Sequence, residues 1–263
     1  MYSPFDINEA ISHRKDYVEE GLRSGSPVVG ITCEAGQLLL TVRRTHRKIY
    51  EIYDRQLYSA IGRQSDIENV RLTAIQNAHQ EGFERSPDDV SLQRLVGFAL
   101  SPTLKKAFGD QMYIPIVIKA LFAELGRTQA MDCFYVLNYD GEFREYKNAA
   151  VIAGTHSAEE KMMDCIGVQD GELSRDAALQ LALRAWIKGA RDQVKRSNRS
   201  DEDDDILNPL REVDEVDADR VFLHDELKTS TVEAALLLRL QNKETRFQLI
   251  PEAELKNLIS SFE

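Results

Sequence analysis

Cysteine is scarce and odd in number: Cys33, Cys133 and Cys165 are the only three in 263 residues. Their spacing matches no metal motif and each has apolar neighbours, which argues against a disulfide framework or a thiolate metal centre. Buried free thiols in a reducing cytoplasm are expected instead. The five histidines, His13, His46, His79, His156 and His224, are scattered without ligand spacing, so none is assigned to a metal. Long apolar runs are missing. Stretches such as Ile114 to Phe122 are strand-length and carry Lys119, too short and too polar for a membrane span. No basic region leads into an apolar run at the start, so no secretory signal is read there. There is no glycine-rich phosphate loop and no internal repeat. A basic surplus is also absent. The net charge of −11 argues against nucleic acid as a partner, because phosphates need clustered Lys and Arg.

What remains is an ordinary globular composition, 43% hydrophobic and 29% charged, long enough to bury a substantial core. The acidity is local. Ser197 to Thr229 holds twelve acids against four Lys and Arg, and the rest of the chain is close to balanced. The run Asp201 to Asp205 reads as a solvated, mobile loop.

The periodicity predicts a helix over residues 6–23, capped by Asp6 with Glu9 three residues on. Strand pairs follow: Val28 to Thr32 with Leu38 to Arg43, then Ile49 to Tyr53 with Leu57 to Ile61. A second capping box, Ser65 to Glu68, opens a helix to about Gln80. Another runs from about Val90 to Phe108, with Pro102 placed to kink or split it. Strands are expected around Ile114 to Glu124, Asp132 to Asn138, Phe143 to Lys147 and Val151 to Gly154. Helices follow at Ser157 to Ile166 and Ser174 to about Lys195. A last strand pair, Val232 to Leu240 and Thr245 to Leu249, turns at Asn242-Lys243, and Pro251 opens a short final helix. Hairpin-connected strands imply antiparallel sheets, and helix pairs between strand blocks suggest helix layers outside two packed sheets.

The stretches Met1 to Ala10, Asp16-Tyr17, Ser26 to Ile31, Lys48 to Arg55, Ala60 to Arg63, Glu68 to Arg71, Glu145 to Ala149 and Glu233 to Leu258 form an ordered set. Together they resemble the proteasome α-subunit family, and most of all its bacterial branch. The resemblance covers roughly residues 1–195 and 231–260, and the acidic segment 197–229 departs from it as a loop insertion. It implies an α+β fold, a four-layer α-β-β-α sandwich of the N-terminal nucleophile hydrolase type, as a single domain. It further implies an outer-ring subunit that is not itself an enzyme, within a threonine-type endopeptidase complex of the cytoplasm. The implied partners are six further copies in a seven-membered ring, proteasome β subunits, and an ATPase ring or other activator docking by its C-terminal tails. Unfolded protein substrates would pass through, with no cofactor and no membrane.

Active members of this fold use a new N-terminal Thr, Ser or Cys whose own amine acts as base. Gly25-Ser26 is the candidate here, and a hydrolase processed before Ser26 is the alternative reading. Against it, Pro27 follows at once, Val42 stands where the catalytic acid would align, and the catalytic lysine would align near Ile49, with Lys48 one residue early. An apolar side chain supplies no charge to tune a nucleophile. The resemblance places Lys48 in an activator-binding pocket, with Gly25 and Gly62 as pocket positions open to an incoming backbone and Asp16 as an acidic neighbour. By its residues alone, Lys48 reads as a surface lysine snorkelling beside Arg47. Residues 1–7, with Tyr2, Ser3, Pro4, Phe5 and Asp6, would form the gate, and residues 8–23 the N-terminal helix.

Overall fold

The computed structural model describes residues 4–110, 112–168, 171–197, 215–239, 245–260 and 262. Helix α1 (Pro4–Arg23) leads into β1 (Val28–Cys33), β2 (Gly36–Arg43), β3 (Tyr50–Tyr53) and β4 (Gln56–Gly62). Helix α2 (Gln64–Glu84) follows, then α3 (Leu92–Arg94), a π-helical turn (Leu95–Leu100) and α4 (Ser101–Gly109). Strands β5 (Ile118–Glu124), β6 (Cys133–Asn138), β7 (Phe143–Tyr146) and β8 (Ala149–Ile152) precede α5 (His156–Ile166), α6 (Arg175–Ser197) and α7 (Glu215–Glu226). Strands β9 (Thr231–Leu238) and β10 (Phe247–Leu249) and helix α8 (Glu252–Ser260) close the chain.

Among the described residues the strands form two five-stranded sheets, ordered β10-β9-β2-β1-β8 and β3-β4-β5-β6-β7, with every pairing antiparallel. Strand alternation sorts the side chains into three apolar layers. On β2, Leu39 joins Val28, Leu121, Phe134, Ile152 and Leu237 between the sheets. Its neighbours Leu38 and Leu40 face the other way, onto Ala182, Trp186 and Met162 of α5 and α6. On β5, Ala120 and Phe122 face Val70 and Ala74 of α2 and the helical turn carrying Val96. Both faces of the central strands are therefore dry, which is why β2 reads Leu-Leu-Leu rather than alternating. Each fully buried Leu or Phe contributes about 1.5–3 kcal/mol. The result is the expected four-layer sandwich. Helix α1 plugs one end of it, with Val18 and Leu22 buried in the inter-sheet core. The Arg14 guanidinium donates to the carbonyls of Phe108, Ala107 and Tyr113, tying α1 to the end of α4.

Several local expectations are corrected. Helix α1 begins at Pro4, so Asp6 lies within the helix and not at its cap; proline's fixed φ suits a first helical position. Tyr2 and Ser3 lie outside the described residues. Ser65 does not cap α2, because the ladder of β4 runs on to Arg63, whose N–H bonds Val117, and the helix starts at Gln64 with no residue spare. Asp66 instead accepts the Val117 N–H at 2.8 Å. Pro102 does not split its helix: helical backbone runs on from Leu92 to Gly109, and the turn before the proline widens to π geometry, where the loss of one N–H is accommodated. Strand β5 starts at Ile118 rather than Ile114, past Pro115, which has no N–H for the ladder. The acidic segment is not loop throughout. Residues 215–226 form α7, whose Leu223 is buried against the α5–α6 layer, so the helix has an apolar anchor that the charge count concealed. The run 201–205 and the turn at Asn242-Lys243 lie outside the described residues.

Candidate functional site

The resemblance pointed to Lys48, Gly25 and Gly62, and the fold brings all three to the wall of one cavity of about 430 Å³. The cavity opens where α1 hands over to β1, between the β2–β3 loop, the end of β4, and helices α6 and α7. Its floor is apolar, with Val42, Ile61, Trp186 and Phe222. Its rim is cationic: Arg23, Arg43, Arg44, Arg47 and Lys48 face it against a single acid, Glu226. In a chain of net charge −11 the rim is locally positive, even with Arg23 paired to Glu20 and Arg43 and Arg47 to Glu233 behind it. Asp16 is exposed on α1 and does not line the cavity. It lies instead near Tyr139, whose phenol is pushed up by burial first and then by Glu19, Asp140 and Asp16.

Lys48 owes its position to a residue that sequence reading missed. Glu233 stands on β9 opposite Thr41 of β2, and its side chain is buried. Its two carboxylate oxygens accept the backbone N–H groups of Lys48 (3.0 Å) and Ile49 (3.1 Å). The same carboxylate pairs with Arg43 at 3.2 Å and Arg47 at 3.9 Å. One buried anion thus folds the loop back onto the sheet, seats Ile49 in the core and turns Lys48 along the cavity wall. The Lys48 ammonium donates to the Ser26 carbonyl at 2.7 Å. Burial pushes it down from an ordinary lysine value to about 7, opposed by the Glu233 charge. No local pattern marks Glu233, which follows Lys48 by 185 residues.

The glycines line the cavity, but protein fills the space a side chain would take. A Cβ on Gly25 would meet the Ile61 Cβ at 2.8 Å and the Leu22 carbonyl at 3.0 Å. Gly62 has φ +130°, and its Cβ would meet the Val117 carbonyl at 2.1 Å. The need for glycine at these two positions is backbone packing around α1, β4 and Val117.

Ser26 sits at the inner end of the cavity. Its hydroxyl donates to the Val42 carbonyl at 2.6 Å and accepts from the Trp186 indole at 3.2 Å. The Gly25 N–H bonds Leu22, and the Gln193 amide donates to the carbonyls of Arg23 (2.9 Å) and Gly25 (3.0 Å). The chain before Ser26 is therefore stitched to α6. Among the described residues no group of three or more His, Cys, Asp or Glu is placed to hold a metal ion. No helix among them is long and apolar enough to cross a membrane.

Two face-to-face antiparallel sheets between helix layers make an α+β sandwich of the N-terminal nucleophile hydrolase type that the resemblance implied. No protein-family model matches the chain. Curated relatives do. The chain is 32% identical to the proteasome subunit alpha of Jonesia denitrificans over 158 residues, 59% of this chain and 66% of that protein, just under two thirds of its length. It is 30% identical to that of Actinosynnema mirum over 184 residues, 69% of this chain and 68% of the relative. With that of Frankia casuarinae it shares 30% over 196 residues, 72% and 79% of the two chains. The chain belongs to the proteasome α-subunit family.

Proposed function

We propose that this chain is a non-catalytic subunit of the outer ring of a proteasome core particle, that it gates substrate entry, and that its Lys48 cavity receives the C-terminal carboxylate of an ATPase-ring activator. The observation that carries the reading is the cationic cavity itself: one half-buried lysine, ringed by arginines, over an apolar floor. A chain-end carboxylate entering such a place gains a charge-assisted hydrogen bond, and the apolar floor accepts the side chains that precede it. With Lys48 poised near 7, docking takes up a proton, so affinity falls as pH rises above about 7. In this reading α1 contributes to head-to-tail contacts that close a seven-membered ring on β subunits, and residues 1–7 meet at the axis as the gate.

The alternative, a hydrolase processed before Ser26, draws support from the closeness of Lys48 to Ser26. Two features weigh against it. The Ser26 hydroxyl is engaged on both sides by Val42 and Trp186. Cleavage would also strip away Val18 and Leu22, which fill the inter-sheet core. Native and denatured mass, alone and with a β subunit, separates the two. Full-length chains in rings that stack on β support the outer-ring reading. A chain lacking 25 residues, with peptidase activity of its own, refutes it. Within the assembled particle, Lys48→Ala is expected to leave assembly intact and abolish activator-stimulated degradation; undiminished stimulation removes Lys48 from the site.

A further inference from the structure

We propose that Lys48 is a modification site whose amine is acylated by small acyl phosphates drawn into the arginine-rimmed cavity. The argument starts from what faces the amine. Arg23 comes from the last turn of α1, Arg43 from the end of β2, and Arg44 and Arg47 from the loop that carries Lys48. The acids around it are Glu233 on β9, which already holds two backbone N–H groups and pairs with Arg43 and Arg47, Glu226 on α7, which accepts from Ser230, and Glu20 on α1, which pairs with Arg23 at 3.1 Å. The polar groups from α6 and α2, Gln193 and Gln64, are uncharged. His46 is exposed in the same loop. The mouth therefore holds positive charge, while at the amine itself burial disfavours the ammonium and the Glu233 charge favours it.

A lysine in that position carries its lone pair at neutral pH far more often than a solvent-exposed lysine does. Desolvation lowers its proton affinity, as the value of about 7 expresses. Its hydrogen bond runs to the Ser26 carbonyl, 2.7 Å away, and a neutral amine can donate that bond and still offer its lone pair. The arginine rim suits a phosphate dianion by shape and charge. The apolar floor of Trp186, Ala190 and Phe222 suits a short acyl chain. A volume of about 430 Å³ admits such a molecule whole. In the reaction, the Lys48 nitrogen forms an amide bond to the acyl carbon and the bond from that carbon to the phosphate oxygen breaks. The amine proton leaves with inorganic phosphate.

The product is a neutral amide with no ammonium left to meet a carboxylate, so acylation switches off activator docking at that subunit. That consequence rests on the function proposed above; the modification itself does not.

The test is peptide-mapping mass spectrometry of the full chain treated with acetyl phosphate between pH 6 and 10. The exposed Lys105 and Lys106 serve as internal references. At pH 7, Lys48 is expected to react at least about tenfold faster than Lys105. Its rate is expected to level off above about pH 8, close to the value of about 7 that burial gives its amine. Arg44→Gln is expected to slow acetylation by acetyl phosphate and to leave the reaction with an uncharged N-hydroxysuccinimide ester unchanged. A Lys48 rate no faster than that of Lys105 overturns the proposal, as does an Arg44→Gln variant that slows both reagents equally. A chain acetylated at Lys48 that still responds to activator refutes the docking reading and leaves the modification standing.

Discussion

Removing the Glu233 carboxylate tests how the Lys48 loop is held. In Glu233→Ala, the backbone N–H groups of Lys48 and Ile49 lose their acceptor. Hydrogen bonds to a charged group are worth about 1.5–3 kcal/mol each. Arg43 and Arg47 also lose a partner, but both are partly solvated and the loss there is small. The expected cost is about 3–5 kcal/mol, in the range found when one member of a buried ionic group is deleted. Glu233→Gln keeps the shape and one carbonyl acceptor but sets an amide NH2 where an oxygen faced a donor, and should cost about half as much. Urea unfolding reads the global term. Amide hydrogen exchange of the peptide over residues 44–50 reads the local one, which should rise sharply in the Ala variant and less in Gln. If Glu233→Ala costs under about 1 kcal/mol and leaves exchange at Lys48 and Ile49 unchanged, the carboxylate is not what positions the lysine.

Three further outcomes follow from the same geometry. Gly62→Ala places a Cβ against the Val117 carbonyl at a backbone angle that L-residues avoid, and should cost about 3 kcal/mol or more, seen as a collapsed melting temperature or loss of soluble protein. Leu223→Ala should destabilise by about 2–4 kcal/mol and loosen α7. The emission of Trp186, the sole tryptophan, should change with it, because Phe222 lies 6.3 Å away between ring centroids. Lys48→Met should flatten the alkaline pH dependence of stability. The folded chain resists a proton that the unfolded chain accepts between about 7 and 10.4, so the wild type gains stability as pH rises through that window and loses it as pH falls. Equal slopes of melting temperature against pH in the two proteins would refute the shift.

The order and kind of the elements were legible because they are local. Strand-length apolar runs joined by hairpin turns marked β1–β2 and β3–β4, and helical periodicity marked α1. Hairpin connections also implied antiparallel sheets. At Pro102 the sequence marked an irregularity but not its form, since a π-type turn absorbs the missing N–H and the helix runs on. The starts of α1 and α2 were misplaced, since Asp6, Ser65 and Glu68 offer a cap chemistry that the run-on from β4 and the early Pro4 start do not use. Helix α7 was hidden because one buried residue, Leu223, decides its fate amid twelve acids.

For the site, the sequence by itself determined Lys48, Gly25 and Gly62 as residues to watch, through the family pattern around them. It also determined that Ser26 lacks an acid at Val42. Only the tertiary structure decided that Asp16 stands apart and that four arginines from three segments converge on the same space. Only it revealed Glu233 as the anchor of the lysine loop and Gln193 as the clasp on the chain before Ser26. The physical reason is that charge complementarity and burial are sums over neighbours in space. A carboxylate 185 residues away leaves no local trace of the two N–H groups it will hold until β9 pairs with β2.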